Sequence, residues 1–363
     1  MGQLSVYLPP FAPDYSGSCS LLYALNSLIV IHDAQGCTAN YTGFDEPRWY
    51  GSKKGVFCSG LRKIDVAMGE EERYIRRILD AAKELRPEVI AVVGSPVPLV
   101  IGTDFEGLAK EIEERSGVIT LGLNTNGLGQ YWEGIAKAGI ELLDRLLPED
   151  AEDEKIENSV NILGITPLDF TSEQIDRIEE KIRAKGYEIL CSFGRESDFE
   201  KIRMMSRAKL NLVVNQAGIK LAQWMEQYFG IPYLAGLPIG EAEEYFKALE
   251  KSMEEKCSRI MESRGEESGE LLIIHDPLIA HAIALQEGNA RAATAFRAEE
   301  ALGNRILVLD TEADLEREVN AGYRKVMADP LILDLIDTDA EKIPFPHFAV
   351  SSHFRQGYES QFR

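Results

Sequence analysis

The sequence lacks the features that mark membrane-bound and exported proteins. It has no run of about 18 or more uncharged apolar residues, so we expect no transmembrane helix. The longest apolar run near the N-terminus, Leu21 to Ile31, is too short to span a bilayer. It also has no basic segment before it and no small-residue cleavage site after it, which argues against a signal peptide. We therefore expect a cytoplasmic protein with no membrane partner.

Positive charge is scarce. The 363 residues include 39 Lys and Arg against 60 Asp and Glu, which gives a formal net charge of −21. Nucleic-acid phosphates and anionic lipid headgroups both attract Lys- and Arg-rich surfaces, so this balance argues against either as a partner. High solubility is by itself a sufficient explanation for the acidity.

The chain also lacks any C-x-x-C motif. Three of its five cysteines, Cys19, Cys37 and Cys58, fall within the first 60 residues. Their spacing excludes a ferredoxin-type cluster loop and a zinc knuckle, and the odd total gives poor support for a disulfide framework. Thiolates bind soft metals well, yet a lone cysteine is more commonly a small buried hydrophobic residue. A cluster held by these three would take ligands from separate strand ends and a fourth from a partner chain.

From about residue 86 onward, aliphatic runs alternate with amphipathic helical segments. The run Glu88–Gly94 is typical of a buried parallel strand, and β-α-β-α order predicts parallel sheets with helices on both faces. The acidic stretch 148–158 indicates a domain boundary, and the pattern restarts twice. We predict an α/β fold of three Rossmann-like units around a central cleft, comprising residues 1–150, 151–268 and 269–363.

Several predicted strands are followed by loops rich in Gly, Pro and polar residues. Ligands of open parallel sheets bind beyond such strand ends, although α/β turns need these residue types in any case. Cys191 and Arg195 follow a strand of the middle segment and are candidate contacts for a substrate or second cofactor. His347, near the C-terminus, has either a pocket role or a role in a surface tail or interface. His32 is expected to form a local hydrogen bond.

The order of several motifs resembles the nitrogenase component 1 family. The segment His32-Asp33-Ala34-Gln35-Gly36-Cys37 is similar to the family motif H-G-P-x-G-C around its second cluster cysteine, and Cys19 stands at the place of the first. The resemblance covers nearly the whole chain, because further blocks follow in family order at 58–69, 95–104, 209–214, 229–233, 329–331 and 346–352.

The resemblance implies the catalytic component of a two-component reductase. An iron–sulfur cluster, most simply of the 4Fe-4S type, would be held at a subunit interface by Cys19, Cys37 and Cys58. It would relay electrons from an ATP-dependent, nitrogenase-reductase-like iron–sulfur ATPase to a substrate in the cleft. The dimer would be a homodimer or a heterodimer with a paralogous subunit. One alternative is a non-catalytic scaffold or carrier for a metal cofactor or tetrapyrrole, and another is a redox-inert binding protein.

Two positions depart from the family pattern. Ser95 stands at the third family cysteine, and because a hydroxyl is a poorer iron ligand than a thiolate, we hypothesise that Cys58 replaces it. Asn215 stands where the molybdenum–iron subunit has a cysteine that anchors its large cofactor. Dinitrogen is therefore not the expected substrate, and Asn215 becomes a candidate contact for a different cofactor. In length the chain is nearest to the methanogen reductive cyclase subunit, which suggests a tetrapyrrole substrate.

Overall fold

The computed structural model describes residues 11–49, 52, 54–69, 71–147, 154–195, 198–261, 269–295 and 297–351. Within these ranges the named strands form three separate sheets, and every neighbouring pair is parallel. Helices connect the strands, as parallel pairing requires. The predicted α/β class with three parallel sheets is confirmed. No helix among the described residues is long and apolar enough to cross a membrane.

The first sheet has the strand order β2-β1-β3-β4. Because the chain adds β2 on one side of β1 and β3 on the other, the strand order reverses between β1 and β3. The strands are β1 (Ser27–Ile31), β2 (Gly55–Cys58), β3 (Val89–Val93) and β4 (Ile119–Leu123). The helices of this segment are α1 (Asp14–Tyr23), α2 (Gly36–Asn40), α3 (Lys63–Met68), α4 (Glu71–Leu85), α5 (Pro96–Ile101), α6 (Phe105–Ser116) and α7 (Tyr131–Leu146).

The second sheet repeats this pattern in the order β6-β5-β7-β8-β9, with its reversal between β5 and β7. Its strands are β5 (Ser159–Leu163), β6 (Glu188–Ser192), β7 (Leu210–Val213), β8 (Tyr233–Ala235) and β9 (Arg259–Ile260). The helices of this segment are α8 (Ser172–Ala184), α9 (Phe199–Met204), α10 (Ile219–Phe229) and α11 (Glu243–Glu255), with 3₁₀ turns at Met205–Arg207 and Gln216–Gly218.

The third sheet has the order β12-β11-β10-β13-β14, so its strand order reverses between β10 and β13. Its strands are β10 (Leu271–Ile274), β11 (Ala290–Ala295), β12 (Leu307–Leu309), β13 (Lys325–Ala328) and β14 (Glu341–Pro344). The helices of this segment are α12 (Pro277–Glu287), α13 (Glu312–Val319), α14 (Pro330–Leu335) and α15 (Phe348–Ser351), with a 3₁₀ segment at Glu300–Arg305.

The chain folds into two compact units. The first unit contains the first sheet and is formed by the described parts of Ala12–Asp150 and Gly194–Arg203. The second unit contains the second and third sheets and is formed by the described parts of Met1–Phe11, Ala151–Phe193 and Met204–Arg363. Division of the chain into three domains at 150/151 and 268/269 remains a prediction.

Helix α1 lies at the centre of the first unit, and all ten of its residues are buried. Two glycines allow α1 and α7 to approach closely. A Cβ atom at Gly17 would lie 1.9 Å from the carbonyl oxygen of Tyr131, and one at Gly134 would lie 1.8 Å from that of Asp14. Only glycine fits at such a backbone contact. This packing holds α1, which carries Cys19, close against α7.

Candidate cluster and cofactor sites

The cysteine-containing motif lies at the strand-order reversal of the first sheet. After β1 the chain continues through His32 and Asp33 to α2, which has Cys37 in its first turn. Ser95 lies two residues after the end of β3, and its hydroxyl donates a 2.8 Å hydrogen bond to the carbonyl oxygen of His32. Open parallel sheets bind their ligands at this kind of crevice.

Cys37 is partly buried among polar groups. Burial raises the pKa of the Cys37 thiol, and the nearby charges of Asp33 and Cys58 raise it further, whereas hydrogen bonds with Tyr15 and Ser95 lower it. The net direction is upward, so the free thiol keeps its proton at neutral pH. Binding to a metal would release that proton, since only the thiolate is a ligand.

Cys58 is the last residue of β2, the strand next to β1. Its thiol lies 3.3 Å from the carbonyl oxygen of Asp33 and donates to it, and its sulfur accepts from the N–H of Gly60 at the same distance. It is partly exposed, like Cys37. The structure therefore places Cys37, Cys58 and Ser95 at three adjacent strand ends.

Cys19 has a different environment, because it lies on α1 and not at a strand end. It is fully buried. Burial raises the pKa of its thiol well above the ordinary value, and the charges of Glu46, Asp45 and Asp14 raise it further. Glu46 is itself buried and pairs with Arg48 at 2.7 Å. The predicted ligand trio is thus divided into two accessible thiols and one thiol surrounded by carboxylates.

Cys37 and Cys58 fit an iron–sulfur cluster in donor chemistry and in accessibility, whereas Cys19 in its buried conformation does not. Among the described residues, no three His, Cys, Asp or Glu side chains converge on a point where they could hold a single metal ion. A polynuclear cluster is larger and takes its cysteine ligands at wider separations than one ion does. The pair would supply two thiolates, and further ligands would come from elsewhere.

A second group of polar side chains lies in the second unit. Asn215 follows β7 and is fully buried. Its amide Nδ2 donates a 2.6 Å hydrogen bond to Oδ2 of Asp169, and its Oδ1 accepts one from the N–H of Ala217. Both ends of this amide are therefore engaged by the protein itself.

His347 follows β14 and is buried beside the same carboxylate. Its Nε2 lies 2.8 Å from Oδ1 of Asp169, and its backbone N–H donates to Oδ2 of Asp329 at 2.8 Å. Its ring stacks on that of His275, with centroids 4.1 Å apart. Neither ring nitrogen of His275 meets the geometry of a hydrogen bond, and burial lowers the pKa of His275 well below its ordinary value, as does His347.

Asp276 is the third carboxylate of this group. Its Oδ1 caps α12 by accepting from the N–H groups of Leu278 and Ile279, and its Oδ2 accepts from the N–H of Gln216 at 3.2 Å. Burial raises the pKa of Asp276, and the charge of Asp169 raises it further. The strand ends of the second and third sheets thus share one buried carboxylate–imidazole–amide cluster.

The remaining candidates, Cys191 and Arg195, belong to different units. Cys191 is a buried residue of β6, paired in register with Asn161 of β5. Arg195 follows that strand in sequence, is partly exposed, and belongs to the first unit. Their roles as substrate or cofactor contacts remain predictions.

Three carboxylates of the buried cluster were not among the candidate site residues proposed from the sequence. Asp276 and Asp329 carry a recognisable signal, because each lies within two residues of a strand end and caps a helix whose first residue is proline. This Asp-Pro step is typical of a helix start. Asp169 lies in the loop after β5 without any such signal, so only the tertiary structure reveals it.

Three parallel sheets with polar groups at their strand-order reversals define an α/β protein of the open-sheet class. Sequence comparison refines this class. The family described as "Nitrogenase component 1 type Oxidoreductase" matches residues 19–337. The chain belongs to this family, which confirms the resemblance.

The similar proteins include cofactor biosynthesis proteins and a nitrogenase alpha chain. The chain is 29% identical over 183 residues to the nitrogenase iron-molybdenum cofactor biosynthesis protein NifE of Clostridium pasteurianum, a match that covers 50% of this chain and 39% of that protein. It is 22% identical over 351 residues to NifE of Methanosarcina barkeri, covering 88% and 73%. It is 23% identical over 219 residues to the nitrogenase molybdenum-iron protein alpha chain of the same organism, covering 56% and 40%.

A solved structure titled "Nitrogenase Cp1 at pH 5" has the same fold. The TM-score is 0.61 at 17% sequence identity, and the match covers 97% of this chain and 79% of that one. The sequence match covers 39% of the length of NifE from Clostridium pasteurianum and 73% of the length of NifE from Methanosarcina barkeri.

Proposed function

We propose that this chain is a nitrogenase-like redox component that holds an iron–sulfur cluster at a subunit interface through Cys37 and Cys58. The observation that carries the proposal is the meeting of these two thiols at adjacent strand ends, at the crevice where parallel sheets bind ligands. When bound, such a cluster supplies a one-electron carrier. The electrons would come from an ATP-dependent, nitrogenase-reductase-like iron–sulfur ATPase.

The residues around the thiols have definable roles. Tyr15 and Ser95 lie beside Cys37 and lower the pKa of its thiol, and the Gly60 N–H donates to the sulfur of Cys58. Hydrogen bonds to cluster-ligating sulfur tune the reduction potential. Proton release from Cys37 accompanies ligation, so loading is favoured by higher pH.

Exposed apolar side chains support the subunit interface. Ile64 and Met68 on α3 and Val100 on α5 are each more than half exposed. Helix α5 begins directly after Ser95, and α3 begins five residues after Cys58. Contiguous exposed apolar side chains mark interaction surfaces. A second subunit, either another copy of this chain or a paralogue, would cover these helices and supply the missing ligands.

A cofactor scaffold is the second candidate function. Its support is the printed name of the relatives from Clostridium pasteurianum and Methanosarcina barkeri, a cofactor biosynthesis protein. Asn215 and His347 would then belong to the wall of the site for a metal cofactor or tetrapyrrole. The closed network around Asp169 would have to open to expose them.

The test is iron and sulfide content, with EPR, on anaerobically purified protein. Cys37→Ala and Cys58→Ala are expected to lose iron, whereas Cys257→Ala, which changes an exposed cysteine, should keep it. Cys19→Ala, measured in parallel, decides whether the third predicted ligand takes part. Iron-free wild-type protein, or full iron in both the Cys37 and Cys58 variants, would overturn the proposal.

A turnover assay separates the two candidate functions. A redox component consumes electrons when the reductase ATPase, ATP and an acceptor such as a tetrapyrrole are supplied. A scaffold binds the cofactor without consuming electrons.

A further inference from the structure

The helix that carries Cys37 does not end as an ordinary α-helix. Helix α2 (Gly36–Asn40) continues directly into a π-helical segment, Tyr41–Asp45. A π-helix is rare, and it is frequently found at functional sites. The residues of this segment are therefore candidates for a role at the adjacent thiol.

Asp45, the last residue of the π-helical segment, anchors the segment to α1. Its Oδ2 accepts a 2.6 Å hydrogen bond from the hydroxyl of Ser16 on α1 and a 2.8 Å hydrogen bond from Nδ2 of Asn40. Only 2% of Asp45 is exposed. Burial of a carboxylate is costly unless hydrogen bonds or charges compensate it, so Ser16 and Asn40 hold Asp45 in place.

Asp45 also determines the orientation of the Asn40 amide. An ionised carboxylate accepts hydrogen bonds and donates none. Asn40 must therefore turn its NH₂ group, and not its oxygen, toward Asp45. The same NH₂ group donates a long hydrogen bond, 3.5 Å, to the hydroxyl oxygen of Tyr15.

This orientation leaves the hydrogen of the Tyr15 hydroxyl available. A phenol has one hydrogen to donate and two lone pairs that accept. Because Asn40 supplies the hydrogen in its contact with Tyr15, the hydrogen of Tyr15 itself is not used there. Tyr15 lies beside Cys37, so the sulfur of Cys37 is within its reach.

We propose that Asp45 is a positioning residue that acts on Cys37 through Asn40 and Tyr15. By fixing the orientation of the Asn40 amide, it directs the hydroxyl hydrogen of Tyr15 toward the sulfur of Cys37. This inference rests on the proposed function, because hydrogen bonds to ligating sulfur set the reduction potential of an iron–sulfur cluster. A donated hydrogen bond stabilises the more negatively charged, reduced cluster and therefore raises the potential.

Redox titration followed by EPR, on anaerobically purified protein, measures the effect. Tyr15→Phe removes the hydrogen, and Asp45→Ala lets the Asn40 amide turn its oxygen toward Tyr15, which then donates away from Cys37. Both variants should shift the potential to more negative values, and the double variant should shift it no further than Tyr15→Phe alone. Asp45→Asn should restore the wild-type potential, because its amide oxygen still accepts from Ser16 and Asn40. An unchanged potential in Tyr15→Phe would overturn the proposal, whether or not Asp45→Ala folds.

Thr42→Val is the matched control. Thr42 lies in the same π-helical segment, and its hydroxyl donates to the carbonyl oxygen of Thr38 and not to Asp45, Asn40 or Tyr15. Its loss should leave the potential unchanged. A shift as large as that of Asp45→Ala would show that any disturbance of the segment alters the cluster, which would overturn the specific role of Asp45.

A double-mutant cycle in iron-free protein tests the positioning step without the cluster. Urea denaturation gives the unfolding equilibrium constants of wild type, Asp45→Ala, Tyr15→Phe and the double variant. Groups of one hydrogen-bond network are energetically coupled, so the combined effect should differ from the product of the single effects by about twofold or more. Thr42→Val and Tyr15→Phe should combine without such a difference.

The two experiments separate failure of this inference from failure of the proposed function. Independent effects of Asp45→Ala and Tyr15→Phe would overturn the positioning role even in a protein that holds a cluster. Coupled effects in a protein that binds no iron would support the positioning role and overturn the proposed function.

Discussion

The side-chain amide of Asn215 donates a 2.6 Å hydrogen bond to Oδ2 of Asp169, and both residues are buried in the second unit. The other oxygen of this carboxylate lies 2.8 Å from Nε2 of His347. One carboxylate thus joins the amide that follows β7 to the imidazole that follows β14. Because a buried carboxylate requires such partners, we infer that Asp169 organises the cluster at these strand ends.

Replacing Asp169 tests that inference. Asp169→Ala leaves the Asn215 amide and the His347 ring without their shared partner, so the free energy of unfolding should fall by about 3 kcal/mol. Urea denaturation measures the change. Asp334→Ala is the control, because Asp334 is exposed on α14, and it should change the free energy by no more than about 0.5 kcal/mol. Equal effects of the two substitutions would contradict an organising role for Asp169.

The buried carboxylate of Asp276 gives the second unit a defined pH dependence. Its folded-state pKa is raised by burial and by Asp169, so the folded protein binds this proton more tightly than the unfolded chain does. The resulting stability is complete below the unfolded-state pKa and is lost as the pH rises through the folded-state pKa. His347 opposes the shift but does not reverse its direction.

Asp276→Asn removes the titration. Relative to this variant, wild-type protein should become more stable as the pH falls from about 8 to about 5. Denaturation curves of both proteins at each pH give the difference. The stability of the Asp334→Asn variant should change with pH in the same way as that of wild-type protein. A difference between wild type and Asp276→Asn that does not change with pH would refute the raised pKa.

The strands that are short aliphatic runs are predictable from the sequence, whereas those of mixed composition are not. The sequence predicts a strand over Glu88–Gly94, and β3 spans Val89–Val93. It misses β11, whose sequence is ARAATA, because alanine and arginine do not favour strands.

The candidate sites are predictable only in part, because motif position does not determine burial. The motif at His32–Cys37 locates Cys37 at a strand end, since the aliphatic run before it is a strand. The environment of Cys19 depends on the close packing of Gly17 against α7, a tertiary contact with no local signal. Asp169 could not be predicted from the sequence either, because its partners Asn215 and His347 are 46 and 178 residues away along the chain.

The raised pKa of Cys37 predicts a slow reaction with alkylating agents. The thiolate is the nucleophile, so in iron-free protein iodoacetamide should modify Cys37 far more slowly at neutral pH than the exposed Cys257, and the rate should rise with pH. Asp33→Asn removes a charge that raises this pKa and should accelerate the reaction severalfold. Peptide mass spectrometry measures each site separately. If Cys37 and Cys257 react equally fast in wild-type protein, the proposed environment of Cys37 is wrong.

Val100 provides the most direct test of the subunit interface. It lies on α5 close to Ser95, and 85% of it is exposed. If a second subunit covers this helix, Val100→Glu places a charge in an apolar contact and should dissociate the assembly. Sedimentation velocity of wild-type and variant protein, with any paralogous partner present, measures the change.

Tyr228→Glu is the matched control, because Tyr228 is 60% exposed on α10 in the second unit. It should leave the assembly intact. Iron content measured on the same samples links the interface to the cluster, since a ligand supplied by the second subunit would be lost on dissociation. A Val100→Glu protein that remains assembled but loses iron would place the cluster near α5 without a subunit boundary there, whereas one that dissociates and keeps its iron would require all cluster ligands to come from this chain.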